Sequence, residues 1–397
     1  MYRFISFFGI FFFIGLAWLI SEDRKKVNFK IVGYGIGLQL AFALFILKTP
    51  PGEIIFAFLN RIFIKMLDFT NEGAEFVFGG LLKEWSFAFS ILPTIIFFSS
   101  FFAVLYYFGI LQFFVKIFAW LISKVLKTSG AESLSAAANI FIGQTEAPLM
   151  VKPYIDKMTR SELMCLMTGG LATVAGGVLA AYVNMGISAG HLIAASVMSA
   201  PAAIVFAKII VPETEKAQTA TLDGIKIEIT DQNALDAAAR GAGEGVYLAI
   251  NVAAMLIAFI AFVAFFNHLF GYIGTSMEEI LGYIFRPFAF LMGVPWEESA
   301  SVGTLLGQKT VLNEFIAYDT LSKMNANPIT ALSERSTVIA TYALCGFANF
   351  GSIAILLGGI GTMAPSRRGE LASLGIKALI GGTFACFLTA NIAGILI

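Results

Sequence analysis

Gly143-Gln144-Thr145-Glu146-Ala147-Pro148 is a short polar interruption in a chain that is otherwise almost wholly apolar. Val311-Leu312-Asn313-Glu314-Phe315 echoes it far downstream. Each stretch sets a carboxylate inside a hydrophobic run, where lipid makes an ionised side chain cost roughly 3 kcal/mol or more at the bilayer centre. Two such carboxylates in corresponding halves of one chain point to a solute-binding site at the midplane of a transporter.

The composition around them is that of a polytopic membrane protein. Of 397 residues, 58% are hydrophobic and 13% charged, where soluble domains run near half and a quarter; mean hydropathy is +0.83. The formal net charge is zero, so nothing points to nucleic acid or an acidic partner. Cys165, Cys345 and Cys386 lie in apolar stretches without disulfide or metal-ligand spacing and read as small packing residues. His191 and His268 read as single hydrogen-bonding residues near span ends. The uncharged run from Phe4 to Ser21 is too long for a secretory h-region. It is followed by Glu22-Asp23-Arg24-Lys25-Lys26 rather than a small-residue cleavage site, so it reads as the first span.

Stretches long enough to cross about 30 Å of hydrocarbon fall at 4–21, 31–47, 85–110, 163–185, 189–211, 245–270, 336–360 and 378–397. The fold class expected is therefore all-α, with about eight transmembrane helices. Segments 52–68, 111–127 and 277–294 alternate apolar and charged residues at helical spacing and read as interfacial helices. Pro287 is expected to kink or break the last of them. The stretch 212–240, with Pro212, Glu213, Glu215, Asp223, Glu228 and Asp231, reads as a solvated loop.

Segments 131–157 and 297–324 are too polar and broken to span, and each carries one of the two glutamates. Re-entrant helical hairpins accommodate both facts, since non-helical backbone at membrane depth persists only under protein cover or along a cavity. Each hairpin is followed by Ser-Glu and an uncharged span interrupted by glycine. The first holds Gly170-Leu171-Ala172-Thr173-Val174-Ala175-Gly176, the second Gly346-Phe347-Ala348-Asn349-Phe350-Gly351-Ser352. A repeat of hairpin plus broken helix thus covers roughly 131–185 and 297–360. With the N-terminus outside, seventeen of the 26 Lys and Arg residues fall inside and nine outside. Both termini are expected outside, and the two repeats are expected to be inverted.

No nucleophile–base pair or metal-ligand cluster is present, so an enzyme is not expected. Gly303–Thr310 resembles a phosphate loop but has the wrong spacing and no preceding strand. The candidate site offers carboxylate, amide and hydroxyl groups on Gln144, Thr145, Glu146, Glu314, Asn349 and Ser352, and no arginine. An anionic solute would call for cationic partners. Acceptor-rich carboxylates instead suit a solute with several N–H or O–H donors, and Phe347, Phe315 and Phe350 offer faces for an aromatic ring.

Gly143-Gln144-Thr145-Glu146-Ala147-Pro148, Asn313-Glu314-Phe315 and Gly346–Ser352, in this order, resemble the signatures of the concentrative nucleoside transporters in their shorter bacterial form. The resemblance covers nearly the whole chain. It implies cation-driven nucleoside uptake across the inner membrane by a homotrimer, each protomer having a scaffold and a moving transport domain. It implies a nucleobase site at Gln144, Thr145, Glu146 and Phe347, and a ribose site at Glu314, Asn349 and Ser352. It also implies a sodium site at Asn139, the Ile142 carbonyl, Thr173 and the Val174 carbonyl. Position 173 is Thr where some relatives have Ser, and the hydroxyl is retained. On this basis 1–127 is mainly scaffold, and 128–211 is the first transport repeat. Residues 212–296 hold the loop, a span and an interfacial helix, and 297–397 the second transport repeat. A nucleoside such as uridine is the expected solute and sodium the coupling ion; proton coupling through Glu146 or Glu314, or another small polar solute, remain the alternatives.

Overall fold

The computed structural model describes residues 1–79, 81, 87–218 and 231–397. Asp223 and Glu228 of the expected loop lie outside the described residues, as do positions 85 and 86 of the third expected span.

The chain runs through α1 (Tyr2–Leu19), α2 (Phe29–Lys48) and α3 (Pro50–Phe78). A π-helical turn, Phe87–Ile91, leads into α4 (Leu92–Tyr107), which is followed by α5 (Ile110–Leu126). The first hairpin descends as α6 (Gly130–Ala138) and returns through a 3-10 turn, Ala147–Val151, and the short α7 (Lys152–Ile155). Next come α8 (Arg160–Ala172), α9 (Gly176–Asn184), α10 (Ala189–Ile210), α11 (Ala234–Gly271) and α12 (Met277–Leu291). The second hairpin is α13 (Ser299–Val311) and α14 (Glu314–Ala326). The chain closes with α15 (Glu334–Leu344), α16 (Phe350–Met363) and α17 (Arg368–Leu396). The fold is all-α.

Side-chain caps place many of these boundaries. Ser129 with Glu132, and Thr159 with Glu162, form reciprocal capping boxes at the starts of α6 and α8. Asn233, Asn313, Ser333 and Asn349 cap α11, α14, α15 and α16. Glu132 also anchors the base of the first hairpin. It pairs with the buried Lys208 of α10, whose ammonium reaches Ser161 Oγ at 3.0 Å and Glu213 at 3.3 Å.

Among the described residues, seven helical stretches are long and apolar enough to cross a membrane. Their burial separates a centre from a periphery. The most apolar windows of 160–184 and 189–210 are 94% buried, that of 234–271 only 11%. The buried centre is α8, α10 and α15 packed on α17, whereas α11 lies against α4 with most of its surface free.

The two glycine-interrupted spans break where the sequence interrupts them: 163–185 at Thr173–Ala175, and 336–360 at 345–349, which divides it into the half-helices α15 and α16. Other expectations change. Residues 234–240, expected in the solvated loop, form the start of α11, because the Asn233 side chain accepts from the Leu235 and Asp236 N–H groups. The last span begins at Arg368 rather than 378, and the helix expected at 52–68 continues to Phe78. Pro287 lies inside α12 without ending it. α12 packs closely on α13: a Cβ on Gly303 would stand 2.6 Å from the Gly282 carbonyl oxygen, so the two helices touch backbone to backbone. The glycines of the phosphate-loop look-alike are helix-packing residues.

Candidate solute and ion site

The two hairpin tips and the two helix breaks meet in the buried centre. In the first hairpin, α6 ends at Asn139 and the chain turns through Gly143–Glu146. The Phe141 carbonyl accepts from the Gly176 N–H at 3.2 Å, tying the tip to the break between α8 and α9. Gln144 lies on Gly170, where any Cβ would come within 2.9 Å of its own Cβ. Gln144 is buried and its Oε1 has no hydrogen-bond partner. Thr145 packs against Gly359 of α16, and the Glu146 carboxylate lies over Gly143, in space that only a glycine leaves. Glu146 itself is exposed.

In the second hairpin, Glu314 is the first residue of α14, where the helix N-terminus favours its negative charge. It is buried, and both carboxylate oxygens are engaged. Oε1 accepts from the Tyr182 hydroxyl at 2.9 Å and Oε2 from Asn349 Nδ2 at 3.0 Å. Asn349 is oriented in turn, since its Oδ1 accepts the Ser352 N–H at 2.8 Å. A carboxylate offers about four lone-pair directions, so two remain for a solute. Phe347 is half-buried, and its N–H donates to the Thr173 carbonyl at 3.1 Å. Glu314, Asn349 and Ser352 are therefore gathered into one cluster. Among the described residues no hydrogen bond joins that cluster to Gln144, Thr145 or Glu146; a solute would have to bridge them.

The expected ion ligands also gather at the first hairpin and first break. Asn139 is buried, and Nδ2 donates to the Ser135 carbonyl at 3.0 Å while Oδ1 has no partner. Asn139 Nδ2 faces Gly169, 3.2 Å from where a Cβ would sit. Thr173, at the end of α8, is extended at φ −128°, ψ 170°, with its hydroxyl donating to the Gly169 carbonyl at 3.1 Å. Its own oxygen lone pairs therefore stay available. Thr173 and Val174 are buried, and Ile142 is half-buried. Asn139 and Thr173 both lie against Gly169, so this junction offers an unpartnered amide oxygen and hydroxyl lone pairs, the oxygen chemistry that a hard cation takes.

Tyr182 escaped the sequence reading. It packs edge-on against Phe315 and within 4.5 Å, centroid to centroid, of Tyr318. The available signal was a tyrosine deep in an uncharged span, whose hydroxyl needs a partner when buried. Its partner lies 132 positions away.

Inverted repeats of hairpin and broken helix, closing on a buried carboxylate–amide cluster, are the architecture of secondary transporters. The chain belongs to the Na+ dependent nucleoside transporter family. Its C-terminal family model matches residues 191–394 and its N-terminal model residues 8–81, with a nucleoside recognition (Gate) model at 88–189. The chain is 47% identical over 396 residues to the uncharacterized transporter YutK of Bacillus subtilis, covering 97% of each. It is 46% identical over 411 residues to solute carrier family 28 member 3 of Mus musculus, covering 99% of this chain but only 58% of that relative's length. Among solved structures, CNTnw in an inward-facing substrate-bound state superposes with a TM-score of 0.93 at 44% identity, covering 100% of this chain and 98% of the other. A substituted CNTnw in an outward-facing state gives 0.92 at 43% identity, with the same coverage.

Proposed function

We propose that this chain is a sodium-coupled symporter that imports nucleosides by alternating access. The observation that carries the reading is the Glu314 carboxylate, held by Tyr182 and Asn349 with lone pairs to spare. Sugar hydroxyls are the donors such an acceptor takes. The unpartnered Gln144 oxygen on the opposite hairpin would accept an N–H of the base, with Thr145, Glu146 and Phe347 around the ring. Asn139, Ile142, Thr173 and Val174 would hold the sodium ion, and Ser352 would complete the ribose contacts.

On this reading the protein sits in a bacterial inner membrane as a homotrimer with both termini outside. Residues 1–127 belong mainly to the scaffold, and 128–211 and 297–397 are the two transport repeats. The protein is not an enzyme and needs no cofactor besides the coupling ion. The test is uptake of radiolabelled uridine into proteoliposomes under an inward sodium gradient. Accumulation above equilibrium that collapses when choline replaces sodium is the expected result; equilibration without accumulation would mean a channel.

A further inference from the structure

Lys309 is 1% exposed, and no ion pair joins it to a carboxylate among the described residues. It lies in the last turn of α13. Its ammonium donates to the Ala343 carbonyl, 2.8 Å away, one residue before α15 ends. In a continuous helix that carbonyl would receive the Phe347 N–H. The break diverts this N–H to Thr173, and Lys309 takes the vacated acceptor. The neighbouring Thr341 carbonyl is met in the same way by the Tyr318 hydroxyl of α14, at 2.7 Å. The second hairpin thus satisfies the carbonyls that the break in 334–363 sets free.

The first repeat has the same layout with one difference. There too the first helix of the hairpin, α6, ends beside the C-terminal end of a half-helix, α8. The residue at that junction is Asn139, an orphaned acceptor rather than a cation. Two helix C-termini converging in apolar surroundings favour positive charge. The first repeat leaves that charge to a mobile ion, and the second has one attached.

We propose that the Lys309 ammonium is a tethered cation filling the second repeat's counterpart of the ion site. As a positioning residue it fixes the 345–349 break and, through Asn349, the Glu314 carboxylate. The proposal rests on the ion-site reading of the first repeat given above. The test uses the full chain in lipid nanodiscs with Lys309→Gln, which keeps a donor without the charge, Lys309→Met, which keeps neither, and Lys309→Arg, which keeps both. Uridine affinity at saturating sodium should fall about tenfold or more in the neutral variants, the scale of a lost charged hydrogen bond, and stay within about threefold in Lys309→Arg. The sodium-induced rise in thermal stability, which reports the first repeat, should persist in all three. Hydrogen exchange without solute should speed up at 345–349 in Lys309→Gln, and much less at 173–176, which is reached only through the Phe347–Thr173 bond. Wild-type uridine affinity in Lys309→Gln, or loss of the sodium response along with it, would overturn the proposal. If Lys309→Met does not fold, Lys309→Gln decides. If the wild-type chain binds no uridine, the nucleoside reading fails, and the exchange comparison still decides the role of Lys309.

Discussion

The Phe347 N–H donates to the Thr173 carbonyl at 3.1 Å, so the break in one repeat is hydrogen-bonded to the break in the other. Thr173 belongs to the proposed ion site and Phe347 flanks the proposed base site. Gly346 makes the approach possible, since a Cβ there would stand 2.9 Å from the Leu171 carbonyl oxygen. On the proposed reading, a cation that orders one break would also order backbone that lines the solute site, a direct physical route for coupling ion to solute.

Glu314→Gln is expected to abolish or severely weaken transport while leaving folded protein. The amide cannot accept from Asn349 and two sugar hydroxyls at once, and charge-assisted bonds worth about 1.5–3 kcal/mol each are lost. Among the described residues no direct lysine ion pair holds Glu314, since Lys323 pairs with Asp319 and Lys309 donates to Ala343. Uridine binding by calorimetry checks it; wild-type affinity would mean that Glu314 does not touch the solute.

Tyr182→Phe removes one donor to Glu314 and leaves the ring packing on Phe315 and Tyr318 in place. The expected cost is about 0.5–1.5 kcal/mol in solute affinity, seen as a raised KM with near-normal protein yield. An unchanged KM would separate Tyr182 from the site.

Nucleosides lacking the 3′-hydroxyl should bind more weakly by about 1–3 kcal/mol, the cost of a buried acceptor left unpaired. Competition against labelled uridine measures this. Uracil competing as well as uridine would reassign Glu314, Asn349 and Ser352 and make the protein a nucleobase carrier.

Asn139→Ala should raise the sodium concentration for half-maximal uptake about tenfold or more, by removing the orphaned amide oxygen. Each ion crossing with the solute gains about 2.3 kcal/mol per 100 mV of membrane potential. Undiminished, pH-driven accumulation in choline would shift the coupling to Glu146 or Glu314.

Glu22, in the α1–α2 connection, is held at a pKa of about 2, first by its hydrogen bonds from Arg160 and then, against partial burial, by Lys377. A depressed carboxylate stabilises the fold above its ordinary pKa of about 4.5 and loses that contribution as pH falls toward 2. Glu22→Gln should therefore lower stability at pH 7 by about 0.5–1 kcal/mol, with the gap to wild type closing as the pH is lowered below about 4. Thermal melts across that range test the sign.

The membrane class, the hairpins and the helix breaks were legible in the residue order because each is a local property. Hydrophobic run length, the polar tips at Gly143–Pro148 and Asn313–Phe315, and glycines beside Thr173 and Asn349 act through the backbone of their own segment. That Glu314 and Asn349 share a cluster was implied by the resemblance of their motifs, not by anything local to either segment. Other features were decided only by the packed chain. The extensions of α11, α3 and α17 and the survival of α12 through Pro287 depend on caps and on neighbours that outweigh local propensity. The Tyr182–Glu314, Phe347–Thr173 and Lys309–Ala343 bonds join segments that lie apart in the chain. Such bonds leave no periodic trace, since a buried donor is satisfied by whichever acceptor the tertiary structure brings within 3 Å.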